Sequence, residues 1–151
     1  MTELETLRWT AKEILPRKQA DWLTKAVEIL REDFNQIGEP FSKITIIVDY
    51  PYGGLSLSWL GSYRYTKQTI FINPTVGGLM ALDILVHELV HAVVPVTEPA
   101  HGERFHEVAA AIGLDDDGPT AGAEEVLLKR LREIQEILGS YPLVFDCLEE
   151  A

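Results

Sequence analysis

His87-Glu88-Leu89-Val90-His91 is the stretch that most restricts what this chain can fold into. Its histidines are four residues apart, and on a helix such residues lie one above the other on the same face. The run from Ile84 to Val94 is otherwise apolar and stops at Pro95, so a helix carrying it must be buried on most sides. Polar groups carried into an interior must be paired or must bind an ion. The H-E-x-x-H pattern is the one that sets two zinc ligands and a general base on one helix.

All four histidines of the chain (His87, His91, His101 and His106) lie in this one window. Beyond Pro95, Pro99 and Gly102 shape a short return, and a second helix presents Phe105, Val108, Ala109 and Ile112 on one side. His101 extends that apolar stripe one turn upstream. If the second helix packs its stripe on the motif helix, His101 points toward His87 and His91 and becomes the third ligand. His106 lies roughly 140° further round at 3.6 residues per turn and should face away, as a surface or supporting histidine. Glu103 is also off the stripe.

Three nitrogen ligands with one position left for water define a catalytic zinc site. Zinc there lowers the pKa of water from about 15.7 to about 7. Glu88, next to His87, stands near the metal without having to bind it, placed to take a proton and pass it to a leaving amine. Two bland readings compete. The histidines could be satisfied core groups, or the zinc could be structural. A structural site closes its fourth position with protein and has no use for the base that Glu88 supplies.

Composition sets the frame. A chain of 151 residues is enough for one domain with a real core. The formal charge of −11 is uneven: residues 1–75 hold nine acidic and nine basic groups, and the remainder holds fifteen and four. An acidic surface repels phosphate backbones and speaks against strong non-specific nucleic-acid binding. The local strip Arg8, Lys12, Arg17 and Lys18 could touch a polyanion, but such residues are more often a solvated helix face. Cys147 is the only cysteine, so an internal disulfide and a cysteine zinc cluster are both excluded. No apolar run follows a basic start, and none is long enough to span a membrane, so the expected location is cytoplasmic.

Helices are expected over Thr2–Ile14, up to Pro16, and over Arg17–Phe34, closed by Gly38 and Pro40. Lys43–Tyr50 reads as a buried β-branched strand and residues 51–54 as a turn; Leu55–Leu60 has an extended pattern. Ser62–Tyr65 and Gln68–Ile72 read as strands around Thr66-Lys67. The motif helix should cover Leu79–Val94, with further helices at Gly102–Ile112 and Gly122–Leu138, separated by an Asp115–Pro119 turn. That turn lacks the ligand positions of an EF-hand. The order predicts an α+β fold: a single domain, 1–151, with a small sheet packed with helices and the motif on the central one.

Several neighbours of the motif carry two readings. The segment 62–72 is a candidate edge for a peptide substrate bound as an added strand, or an ordinary hairpin. Tyr63 and Tyr65 could donate to an oxyanion, or be strand aromatics. Asp83, one turn before His87, could orient an imidazole, or be an acid favoured by the helix dipole. Trp59 could line a substrate pocket, or fill the core, which is the reading its residue type favours.

These residues resemble the SprT-like zinc metalloproteases. The likeness rests on His87-Glu88-Leu89-Val90-His91, on His101-Gly102-x-x-Phe105, on Ala109 to Gly113-Leu114, and on Tyr63-Arg64-Tyr65 to Ile72-Asn73-Pro74. Gly118-Pro119-Thr120 and Leu138-Gly139-Ser140-Tyr141-Pro142 resemble phage-encoded members in particular. The likeness covers roughly residues 40–142, with the helices of 2–35 preceding it. It implies a minimal gluzincin-like or metzincin-like core, one catalytic zinc on His87, His91 and His101, Glu88 as catalytic glutamate, and a protein or peptide substrate. Some members act on DNA-bound proteins, which implies a DNA association that the acidic second half does not support. Many relatives carry a cysteine-rich zinc ribbon, which the single Cys147 of this sequence cannot form. The His91–His101 spacing also departs from the short H-E-x-x-H-x-x-G-x-x-H form. The alternative to a peptidase is a catalytically silent zinc-binding protein that docks on a DNA-processing or virion complex.

Overall fold

A computed structural model describes residues 3–49, 60–114 and 124–143, with side chains from Leu15 onward. It is an α+β arrangement of four helices and one three-stranded sheet. The chain runs α1 (Glu3–Gln36), β1 (Thr45–Val48), β2 (Gly61–Arg64), β3 (Thr69–Ile72), α2 (Gly78–Val93), α3 (Glu103–Ile112) and α4 (Glu125–Leu138). Among the described residues no helix is long and apolar enough to cross a membrane.

The two helices expected at the N-terminus are one. α1 continues through Pro16, which lies inside it. A proline removes one backbone bond and crowds the preceding turn, but it does not forbid a helix that packing holds on its C-terminal side. That packing is strong: Trp22, Leu23, Ala26, Val27, Leu30 and Phe34 recur at helical spacing, and all are buried. Gly38, at φ +76°, then turns the chain, with its N–H bonded to the Asn35 carbonyl.

The sheet order is β1-β3-β2, with β1 parallel to β3 and β2 antiparallel to it. β1 is shorter than the expected strand and is not buried on both faces. Ile46 and Val48 point into the core, while Thr45 and Ile47 point away and are exposed. Continuous β-branching does not distinguish a strand covered on both sides from one covered on a single side. The hairpin is as expected in kind: Arg64 pairs with Thr69, and residues 65–68 make the turn, with Gln68 at φ +49°. The turn at residues 51–54, the extended pattern at 55–59, the Asp115–Pro119 turn and Trp59 lie outside the described residues.

α2 sits at the centre, touching β2, β3 and all three other helices. Leu82, Leu85, Val86, Leu89 and Val90 have no exposed surface. Val94 is extended because Pro95 follows and disfavours the helical conformation before it.

α3 ends in a Schellman motif. Gly113, at φ +102°, donates to the Ala110 carbonyl at 3.3 Å, and Leu114 donates to that of Ala109 at 2.8 Å. Leu114 is then buried, and α4 lies so close that a Cβ on Gly113 would stand 3.0 Å from that of Leu127. Two ion pairs tie α1 and the turn after it to these helices: Arg104 to Glu39 at 2.5 and 2.7 Å, and Arg130 to Asp33 at 2.9 and 3.2 Å. The side-chain amide of Gln19 donates to the carbonyls of Pro74 and Pro142, and the Trp22 indole donates to that of Gly139.

Gly113→Ala forces a side chain into a left-handed conformation, at about 1–2 kcal/mol, besides the contact with Leu127. Urea unfolding is expected to show a loss of at least that size, without a change in helix content.

Candidate metal centre

Helix α2 carries His87, Glu88 and His91 into the interior, where they are 9%, 6% and 8% exposed. The helical period turns both imidazoles the same way. His101 approaches from the turn after Val94. That turn is tight: the Gly102 N–H bonds the Pro99 carbonyl at 3.2 Å, and a Cβ on Gly102 would stand 2.9 Å from that of Pro99. Gly102 also caps α3, so His101 is held one residue before a packed helix.

The expected convergence occurs. One nitrogen from each of His87, His91 and His101 lies within 4.8 Å of the others, close enough to hold a metal ion. Nε2 of His91 and Nε2 of His101 are 3.1 Å apart. Two nitrogens on a tetrahedral zinc stand about 3.3 Å apart, given bonds of roughly 2.0–2.1 Å. The donor set therefore fits a small cation that prefers nitrogen. Glu88 is not in the donor group.

The electrostatics of the site favour uncharged forms. Burial, followed by His87 and His101, pushes His91 down to about 3. His101 is lowered by burial and then by His106. Both imidazoles are thus neutral near pH 7, the form with a lone pair to offer. Burial pushes the Glu88 carboxyl up to about 8.

The edge strand closes on Glu88. A Cβ on Gly61 would stand 2.4 Å from Ile84 Cγ2 and 3.5 Å from Glu88 Oε1. Only a residue without a side chain lets β2 lie this near to α2. Nothing in the sequence pattern singled out Gly61; its place at the start of the strand before the motif helix was the available sign. By the two-residue period of a strand, Tyr63 lies on the same side as Gly61, and Tyr65 follows directly after β2. Their rings meet edge to face at 4.9 Å. Burial raises both phenols, Tyr63 with help from Tyr65 and Tyr65 with help from the charge of Glu88.

His106 stays out of the donor group, as its position round α3 predicts, but it is not a surface residue. Its ring is half-buried against Phe105, with Nδ1 enclosed and unpaired among the described residues. Asp83 lies on α2 a turn before His87, half-buried.

Gly61→Ala must displace Ile84, and overpacking of this kind costs about 1–3 kcal/mol. Denaturant unfolding is expected to show that loss, and Ile84→Ala in the same chain to give part of it back. Comparison with protein-family models, with curated proteins and with solved structures finds no match to this chain.

Proposed function

We propose that this protein is a zinc-dependent metalloprotease with a zincin-like core, related to the SprT-like enzymes that its motif block resembles. The observation that carries the reading is the meeting of three imidazole nitrogens, two from one helix and one from the next, beside a buried glutamate that is not among them. His87, His91 and His101 would hold the ion. When bound, zinc supplies Lewis acidity toward a carbonyl and a lowered pKa for water.

The remaining work falls to the chain's own groups. Glu88 accepts the proton of the attacking water on a carboxylate oxygen and returns it to the leaving nitrogen. Its environment suits the task, because burial moves it from the ordinary carboxylate range toward neutrality, where acid and base forms are both accessible. The β2 edge lies against Glu88 and, among the described residues, pairs only with β3. An extended peptide added to that edge would lay its backbone alongside the carboxyl. Tyr65, the phenol that feels the charge of Glu88, would donate to a developing oxyanion.

Elemental analysis of the purified protein is expected to give one zinc per chain. Glu88→Gln should keep that zinc while peptide cleavage falls by about 10²–10⁴-fold, the usual loss for a missing general base. His101→Ala should lose the zinc as well. Wild-type protein that stays metal-free after reconstitution would overturn the metal centre. Zinc-loaded protein that leaves a broad panel of denatured substrates as intact as the Glu88→Gln variant would point instead to a zinc-binding interaction protein.

A further inference from the structure

Phe105 has no exposed surface, and its ring touches every candidate ligand. Ring centres lie 5.1 Å from His87, 4.8 Å from His91 and 4.9 Å from His101. The three imidazoles are themselves 5.1, 5.5 and 4.7 Å apart. The four rings therefore stand at the corners of a nearly regular tetrahedron. Three corners can donate nitrogen to an ion. The fourth is a hydrocarbon ring that shuts one side of the histidine triangle against the core.

We propose that Phe105 is a positioning residue of the metal centre, setting the tilt of all three imidazoles so that their nitrogens converge before an ion arrives. The proposal rests on the reading of His87, His91 and His101 as metal ligands, but not on any activity.

The physical case has three parts. First, an imidazole's outer torsion is broad, so a free histidine sweeps its nitrogen through a wide arc. Contact with a fully buried ring narrows that arc for each of the three. Ordering done during folding is not charged again to metal binding, which is the benefit of preorganisation. Second, aromatic rings prefer tilted and edge-on packing at these separations, and the observed interplanar angles of 56°, 40° and 74° are of that kind. A flat aliphatic contact would not select a tilt. Third, Phe105 belongs to α3 while two of the ligands belong to α2. It is therefore the side chain through which the His101 segment is registered against the other pair. α3 is fixed on either side of it, by the Arg104 pair with Glu39 and by buried Val108 and Ala109. A hydrophobic shell of this sort also controls solvent access and local dielectric at a metal.

The test compares wild type with Phe105→Leu and Phe105→Met, which fill the space without a ring, and with Leu131→Ala, a buried truncation on α4. For each, the stability of the metal-free protein is measured by urea unfolding and zinc affinity by competition with a chromophoric chelator. The cobalt(II)-loaded protein gives a visible spectrum that reports ligand geometry. The Phe105 variants should weaken zinc binding by about 10–100-fold, the range seen when groups supporting metal ligands are removed. Their cobalt bands should also change in position or intensity. Leu131→Ala should lose stability yet keep the wild-type affinity and spectrum. Unchanged affinity and spectrum in whichever Phe105 variant folds would overturn the proposal while leaving the metal centre intact. An equal loss of affinity in Leu131→Ala would also overturn it, by reducing the effect to general destabilisation. Wild type that binds neither zinc nor cobalt would overturn the metal centre itself.

Discussion

The burial of most of α2 is the condition on which the rest of this structure stands. Leu82, Leu85, Val86, Leu89 and Val90 remove their surface entirely from water, at roughly 1.5–3 kcal/mol for each large side chain. That gain is what allows the same helix to carry His87, Glu88 and His91 inward, since buried polar groups weigh against folding. The cost is held down by keeping the groups uncharged: His91 is driven far toward the neutral form, and Glu88 toward the protonated one. A divalent ion near Glu88 acts in the opposite sense on its carboxyl, favouring the anion. Packing and chemistry are thus two consequences of one apolar helix.

Much of this was readable from the chain. The period of the apolar residues located α2, α3 and α4 to within a few residues, and the side of α3 that bears Phe105 and Val108 correctly directed His101 inward. The hairpin was legible because Thr66-Lys67 lies between Tyr63-Arg64-Tyr65, rich in aromatics, and the largely β-branched Thr69–Ile72. What escaped was settled by distant contacts. Pro16 looks like a boundary locally, yet α1 passes through it, and the face from Trp22 to Phe34 packs on the core. Ile47 looks like interior but lies on the outer side of its strand. Gly61 carries no pattern at all; its meaning lies in Ile84 and Glu88, more than twenty positions away.

The braces around the site show the same limit. Arg104 with Glu39 and Arg130 with Asp33 are long-range pairs of ordinary surface residues, and neither partner is marked in its own neighbourhood. Each is partly exposed, so the energy is modest. Their value is geometric. They fasten α3 and α4 to the same end of α1, and α3 in turn carries the turn on which His101 sits. Beside His101, the half-buried His106 is the one imidazole left outside the donor group.

The strand order carries a kinetic meaning. β3 is central, and its two neighbours differ in how far away they lie along the chain. β2 reaches it through a short turn, whereas β1 must close a loop that includes everything between them. Closing a longer loop costs more entropy, so the hairpin and the helix that follows it form the cheaper nucleus. On this ordering, the pair of histidines on α2 is assembled early, from local contacts. The parallel seam with β1, whose paired residues such as Thr45 and Thr69 are far apart in the chain, carries the larger closure cost.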